Sequence, residues 1–374
     1  MTSAADRIKR LWSFCRMAGG TLGSIAANHA GIAVLPRMAY LLLTWKCNLR
    51  CVMCGVWHKE RFRTLDTAGY LKIIDSLPPL DIIKISGGEP FLRDDCAQIV
   101  GRIQKRLDPY YLMLITNGTF TDKVVDFVEQ CGRPGLHLRL SLEGRGAVHD
   151  KLRGREGCFA KTMATLEALL PIMRRRGFTI GINYNVTSET MEDLPWIMEL
   201  CRREGLNFIP GFWVKPFMEP GRPEDAQAMV DSFEDYSRLA DKIYTQTKGL
   251  SFLEAFFLKR TVMQLYKSAA GQGSRRFACR ACRNIAYIAP DGSLLSCGIK
   301  HDPLGCLGEQ DFKSAWFGEN MCRAREETDR CPGCCQYAIK IMSRVYTGQS
   351  FGLPAPSDWK EARKKISRED APLF

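Results

Sequence analysis

MAYLLLTWKCNLRCVMC, residues 38–54, decides how this chain is read. Met38–Thr44 is a mostly apolar run of strand length. It opens directly into Cys47, Cys51 and Cys54. Three thiols in this CxxxCxxC spacing fall one short of a closed tetrahedral zinc site. They suit three irons of a [4Fe–4S] cube whose fourth iron stays open. The competing reading is a Cys/His zinc site that recruits His58.

Downstream, strand-like and helix-like periods alternate. Strands are expected over 81–86, 111–116, 136–142, 178–186 and 208–214, with helices over 65–77, 96–107, 121–130, 159–176 and 191–204. Strands alternating with helices predict a parallel sheet. About six such units, with polar residues at the strand ends, predict an α/β fold, a partial (β/α)6 barrel with its chemistry at the C-terminal mouth.

The barrel is expected over 38–216, after a basic amphipathic extension over 1–37. A helical linker segment follows over 217–270, then a small loop-rich C-terminal domain over 271–345 and a polar tail over 346–374. Ile285–Ala289 and Ser293–Cys297 flank Pro290-Asp291-Gly292 and read as a hairpin, and 312–327 reads as a helix. The extension sets Ile8, Leu11, Trp12 and Cys15 on one face. A helix capping the barrel end is favoured there over contact with a membrane surface.

Composition narrows the class. The 374 residues are 45% apolar and 25% charged, which excludes a mainly disordered chain. No apolar run reaches the ~18 residues of a spanning helix. The extension lacks an uninterrupted apolar stretch, so a signal peptide is not expected. Sixteen cysteines without secretion point to a reducing cytoplasm and to metal ligation.

The chain resembles the radical S-adenosylmethionine (radical SAM) enzymes. Cys47, Cys51 and Cys54 match that family's cluster motif, and Ser86-Gly87-Gly88-Glu89-Pro90 matches its GGEP element. Ser141-Leu142-Glu143-Gly144 resembles the fourth-strand S-x-D-G element, with Glu143 in place of the commoner Asp. Met53 stands where the family usually has an aromatic residue. The resemblance implies a [4Fe–4S] cluster on the three cysteines and S-adenosylmethionine (AdoMet) bound against it. It implies Glu89 on the AdoMet ammonium, Arg153 on its carboxylate and Asn183 and Asn185 near its ribose. Ser86, Gly87, Gly88, Asn117 and Ser141 complete the expected cofactor-binding rim. The implied reaction is reductive cleavage of AdoMet to a 5′-deoxyadenosyl radical that abstracts hydrogen from a substrate carbon.

Cys279, Cys282 and Cys297, with one of Cys331, Cys334 or Cys335 as a fourth thiolate and Cys331 or Cys334 favoured, resemble the SPASM/Twitch extension of that family, in its shorter one-cluster form. That implies a second, auxiliary [4Fe–4S] cluster; a structural zinc held by four thiolates is the alternative. Partners implied are a reductant such as flavodoxin or ferredoxin and a small-molecule substrate. The net charge of +12 gathers partly around the cysteines, with Lys59, Arg61, Arg63, Arg275, Arg276, Arg280 and Arg283. Those cations either draw an anionic substrate or balance the clusters. A peptide-modifying enzyme, an RNA-modifying enzyme and an electron carrier are the alternatives. No aromatic-interleaved basic stripe favours nucleic acid.

Overall fold

The computed structural model describes residues 32–54, 56, 63–211, 281–298 and 302–330, with isolated positions at 15, 19, 20, 23, 24, 26, 27, 30, 235 and 238. The expected linker helix and polar tail otherwise lie outside these residues. So do Ile8, Leu11, Trp12, His58, Lys59, Arg61, Arg275, Arg276, Arg280, Cys279, Cys331, Cys334 and Cys335.

Among the described residues, nine strands form one sheet in the order β6-β5-β4-β3-β2-β1-β7-β8-β9. They are β1 (Met38–Leu42), β2 (Ile82–Ser86), β3 (Tyr111–Thr116), β4 (Leu136–Ser141), β5 (Thr179–Asn185), β6 (Asn207–Gly211), β7 (Ile285–Ile288), β8 (Ser293–Leu295) and β9 (Pro303–Cys306). β1 to β6 are parallel to their neighbours and lie in unbroken chain order. Right-handed crossovers in such an order put every connecting helix on the same face. The sheet therefore curls as a partial barrel instead of being wound on both faces.

The connecting helices are α1 (Thr67–Ser76), α2 (Cys96–Arg106), α3 (Thr121–Cys131), α4 (Ala147–Arg153), α5 (Cys158–Arg176) and α6 (Leu194–Glu204). Strand alternation sorts the side chains. Leu41, Ile85, Leu114, Leu138 and Ile182 point to the helices and form one buried core with Ile74, Ile99, Val128 and Ile197. The alternate positions, among them Tyr40, Lys84, Met113, Arg139 and Gly181, face the barrel interior.

Boundaries match the expected elements to within a few residues, with four differences. Residues 147–153 form a short helix, α4, where no element was expected. The expected helix over 191–204 starts as a 3-10 turn, Met191–Asp193, before α6. The expected helix over 312–327 is two helices, α7 (Phe312–Phe317) and α8 (Glu319–Arg330), separated by Gly318. The C-terminal hairpin does not stand apart from the barrel: Ile285–Ile288 pair in parallel with Met38–Leu41. This satisfies the backbone groups that β1 would otherwise leave on an open edge. Among the described residues, no helix is long and apolar enough to cross a membrane.

Candidate functional site

The three cysteines follow β1 in one loop at the C-terminal ends of the strands. Two neighbours hold that loop. On one side, Gly88 N–H donates to Thr44 O at 2.6 Å and Glu89 N–H donates to Lys46 O at 2.9 Å. The approach is so close that a Cβ on Gly88 would stand 2.1 Å from Lys46 O. Only glycine fits there, for a steric reason and not a conformational one. On the other side, Arg50 N–H donates to Arg153 O at 3.2 Å and Val52 N–H to Leu152 O at 3.0 Å. Gly154, at φ +65, turns the chain out of α4, and a Cβ there would meet Arg50 O at 2.3 Å.

Cys51 is buried, and Cys47 and Cys54 are half-buried. Leu49 N–H points at Cys47 Sγ at 3.5 Å, and Arg153 Nη1 lies 3.6 Å from Cys51 Sγ. Burial pushes the Cys47 thiol up to about 11 and raises Cys54 as well. Such thiols stay protonated at neutral pH until a metal displaces the proton. Among the described residues, no three His, Cys, Asp or Glu side chains converge as closely as a single metal ion requires. Ligands of a four-iron cube stand further apart than those of one ion, and the N–H donors aimed at sulfur suit thiolate ligands. The residues present fit a cluster.

Beneath the loop sits Glu89, wholly buried. Its Oε1 accepts from Thr116 Oγ1 at 2.8 Å and from Phe91 N–H at 3.1 Å, and its Oε2 accepts from Asn117 N–H at 2.8 Å. Burial pushes its carboxyl up to about 7, against the pull of these donors and of Arg153. The resemblance implied a carboxylate presented to an ammonium at the mouth. In this structure the Glu89 carboxylate also ties the ends of β2 and β3 together through these three bonds. Asn117 is bonded within the protein as well: its Nδ2 donates to Asn48 Oδ1 at 2.8 Å, and its Oδ1 accepts from Thr119 N–H at 3.0 Å. Asn48 lies between Cys47 and Cys51, so Asn117 holds the cysteine loop to β3. No pattern in the chain foreshadows this tie.

A second buried cluster lies at the end of β4. Arg153 Nη2 donates to Glu143 Oε1 at 2.6 Å. Asn185 donates to the same carboxylate from its backbone N–H at 2.6 Å and from Nδ2 at 3.0 Å. Burial works against the Arg153 charge, but Glu143 and the Cys51 thiol outweigh it and raise its pKa. The resemblance implied a cofactor carboxylate as partner of Arg153; in this structure Arg153 pairs with the carboxylate of Glu143. Asn185, expected near a ribose, braces Glu143 through these two bonds. One donor remains: Arg153 Nε is buried without a hydrogen-bond partner. His149 Nδ1 accepts from Glu143 N–H at 3.0 Å, so its proton sits on Nε2. Ser86, Gly87, Gly88 and Asn183 are half-buried at the mouth, and Ser141 is buried beside them.

Of the C-terminal cysteines in the expected ligand set, Cys282 and Cys297 are described. Cys282 is buried at φ +60, and its Sγ donates to Ser296 O at 2.9 Å. Cys297 and Cys54 both pack on the small apolar cluster around Met38, Tyr287 and Leu295. The hairpin thus reaches the same patch as the first cysteine loop, a proximity that no local sequence signal revealed.

A partial β/α barrel with three cysteines looped across its mouth is the arrangement that the resemblance to the radical SAM enzymes implied. Residues 41–201 match the family model of the Radical SAM superfamily. The chain is 25% identical over 319 residues to the AdoMet-dependent heme synthase of Methanosarcina barkeri, covering 80% of this chain and 87% of that protein. It is 29% identical over 279 residues to the probable GTP 3′,8-cyclase of Methanococcus maripaludis, covering 71% and 86%. Among solved structures, native anSMEcpe with bound AdoMet and Cp18Cys peptide superposes with a TM-score of 0.55 at 17% identity, over 88% of this chain and 98% of that one. Residues 41–201 therefore carry a Radical SAM domain, of a family that works with a [4Fe–4S] cluster and AdoMet.

Proposed function

We propose that this protein is a radical SAM oxidoreductase acting on a small biosynthetic intermediate, with Cys47, Cys51 and Cys54 as the ligands of its cluster. The observation that carries this reading is the cysteine loop clamped between Gly88 and Gly154 at the C-terminal mouth of a partial barrel. When bound, the cluster and AdoMet supply a 5′-deoxyadenosyl radical that takes hydrogen from a substrate carbon. The chain's own part is positional. Glu89 and Asn117 lock the strand ends beneath the loop, and Arg153 sets a cation beside Cys51. The rim of Ser86, Gly87, Gly88, Ser141 and Asn183 supports AdoMet binding. A reductant such as flavodoxin or ferredoxin supplies the electron.

Cys282 and Cys297, with Cys279 and one of Cys331 or Cys334, are proposed to hold an auxiliary [4Fe–4S] cluster. The sharing of one apolar patch by Cys54 and Cys297 supports this reading. It fits oxidation of the substrate, with the second cluster accepting an electron.

The test is anaerobic. Reduced protein and AdoMet should release 5′-deoxyadenosine, and a Cys47/Cys51/Cys54→Ala variant should release none. If that variant keeps about four irons, the C-terminal cysteines hold a cluster. If it keeps one zinc and no iron, they form a structural staple. Absence of deoxyadenosine from the iron-loaded wild type sinks the radical reading.

A further inference from the structure

Two cations on the inner face of the sheet are not used by the mouth. Lys84 stands on β2 and Arg139 on β4, each two residues before the strand-end Ser86 and Ser141. At ~3.3 Å of rise per residue they lie roughly 7 Å below the mouth. Both are more than nine-tenths buried, at 9% and 7% exposure. Neither forms an ion pair with another described residue.

Lys84 Nζ donates to Tyr40 Oη at 3.0 Å. Arg139 Nη2 donates to Tyr111 Oη at 2.8 Å, while its Nε and Nη1 are buried with no hydrogen-bond partner. The neighbouring strand leaves room for this side chain by carrying a glycine: a Cβ on Gly181 would stand 2.0 Å from Arg139 Nη1. Tyr111, in turn, is fixed by stacking on His137 with ring centroids 3.8 Å apart. Strand sequences Ile-Ile-Lys-Ile-Ser and Leu-His-Leu-Arg-Leu-Ser each carry one such cation in an otherwise largely apolar setting.

A buried cation without a counter-charge is costly, and unpaired guanidinium N–H groups add to that cost. Native proteins rarely leave such groups without a role. A structural arginine would be given a carboxylate, as Arg153 is given Glu143. Among the described residues, Arg139 and Lys84 are given only tyrosine hydroxyls and no counter-charge. Guanidinium and ammonium together suit an oxyanion.

We propose that Lys84, Arg139, Tyr40 and Tyr111 form an anion-binding floor in the barrel that holds a carboxylate or phosphate group of the substrate. This deepens the radical SAM reading, on which it rests, by making the substrate a small anion anchored by its acid group. The anchored group at the floor leaves the rest of the molecule directed to the mouth, where hydrogen is removed.

The test uses the full-length protein, reconstituted anaerobically, in chloride buffer at fixed ionic strength. Radiolabelled inorganic phosphate and radiolabelled succinate are offered separately by equilibrium dialysis. The wild type should bind at least one of them saturably, and the preferred probe identifies the acid group. Arg139→Gln and Lys84→Met, compared at equal iron content, should each weaken that binding on the order of ten-fold or more. Gly181→Ser should weaken it too, because it displaces the guanidinium while keeping its charge. If Arg139→Gln does not fold, Lys84→Met and Gly181→Ser decide. Saturable binding of neither probe, or equal binding by wild type and variants, overturns the floor. Deoxyadenosine release by the same wild-type preparation tests the radical reading separately. Release without variant-sensitive anion binding removes the floor alone, and the converse removes the radical reading alone.

Discussion

Replacing Gly88 by alanine tests the placement of the cysteine loop. The new Cβ would stand 2.1 Å from Lys46 O, 2.5 Å from Lys46 C and 2.8 Å from Trp45 O, all backbone atoms. To reach even 3.0 Å from that first oxygen, the loop must retreat by about 0.9 Å. It cannot do so freely, because Arg50 and Val52 are bonded to the end of α4. The retreat breaks or stretches the bonds Gly88 N–Thr44 O and Glu89 N–Lys46 O, each worth about 1 kcal/mol. With strain, the expected loss is about 2–4 kcal/mol. Gly101→Ala is the control. It lies in α2 with nothing within 4 Å of the new Cβ, and alanine favours a helix over glycine by about 0.5–1 kcal/mol. The same chemical change should therefore destabilise at one site and stabilise at the other. Urea unfolding of the metal-free proteins measures both, and iron per chain after anaerobic reconstitution reports the loop. A Gly88→Ala protein within about 1 kcal/mol of wild type and fully iron-loaded would refute the reasoning.

Three further outcomes are expected. His149 is kept neutral, its pKa lowered to about 3 by burial with help from Arg153, whereas the unfolded chain takes a proton near 6.5. Its contribution is therefore complete above pH 6.5 and is lost on acidification at about 1.4 kcal/mol per pH unit. The stability difference between wild type and His149→Gln should shrink by roughly 2–3 kcal/mol from about pH 7 to about pH 4.5; a flat difference contradicts it. Glu143→Gln strands the buried Arg153 cation and should cost about 3 kcal/mol in urea unfolding, with a loss under about 1 kcal/mol counting against the pair. Gly154→Ala combines a φ of +65 with a 2.3 Å clash on Arg50 O, so it should lower both stability and iron content. Normal values for both would show that α4 does not brace the cysteine loop.

Apolar spacing and the Gly and Asn stops between strands are local signals, so the elements themselves were legible in the chain. Met38–Leu42, Ile82–Ser86 and Tyr111–Thr116 could be placed in this way, and so could the three cysteines after the first strand. Lys84 and Arg139 were also visible as charges within apolar strands, but their meaning depends on which face of the sheet they occupy. What each polar side chain meets is settled by packing and not by local pattern. The family resemblance implies a ligand for Glu89 and Arg153, and packing adds Asn117 and Glu143 as partners that no local pattern names. Asn48 joins Asn117 across 69 positions, and Met38 pairs with Ile285 from beyond the far end of the barrel sequence. Such contacts form where a low-dielectric interior forces every buried donor and acceptor to find a partner, whatever its distance along the chain.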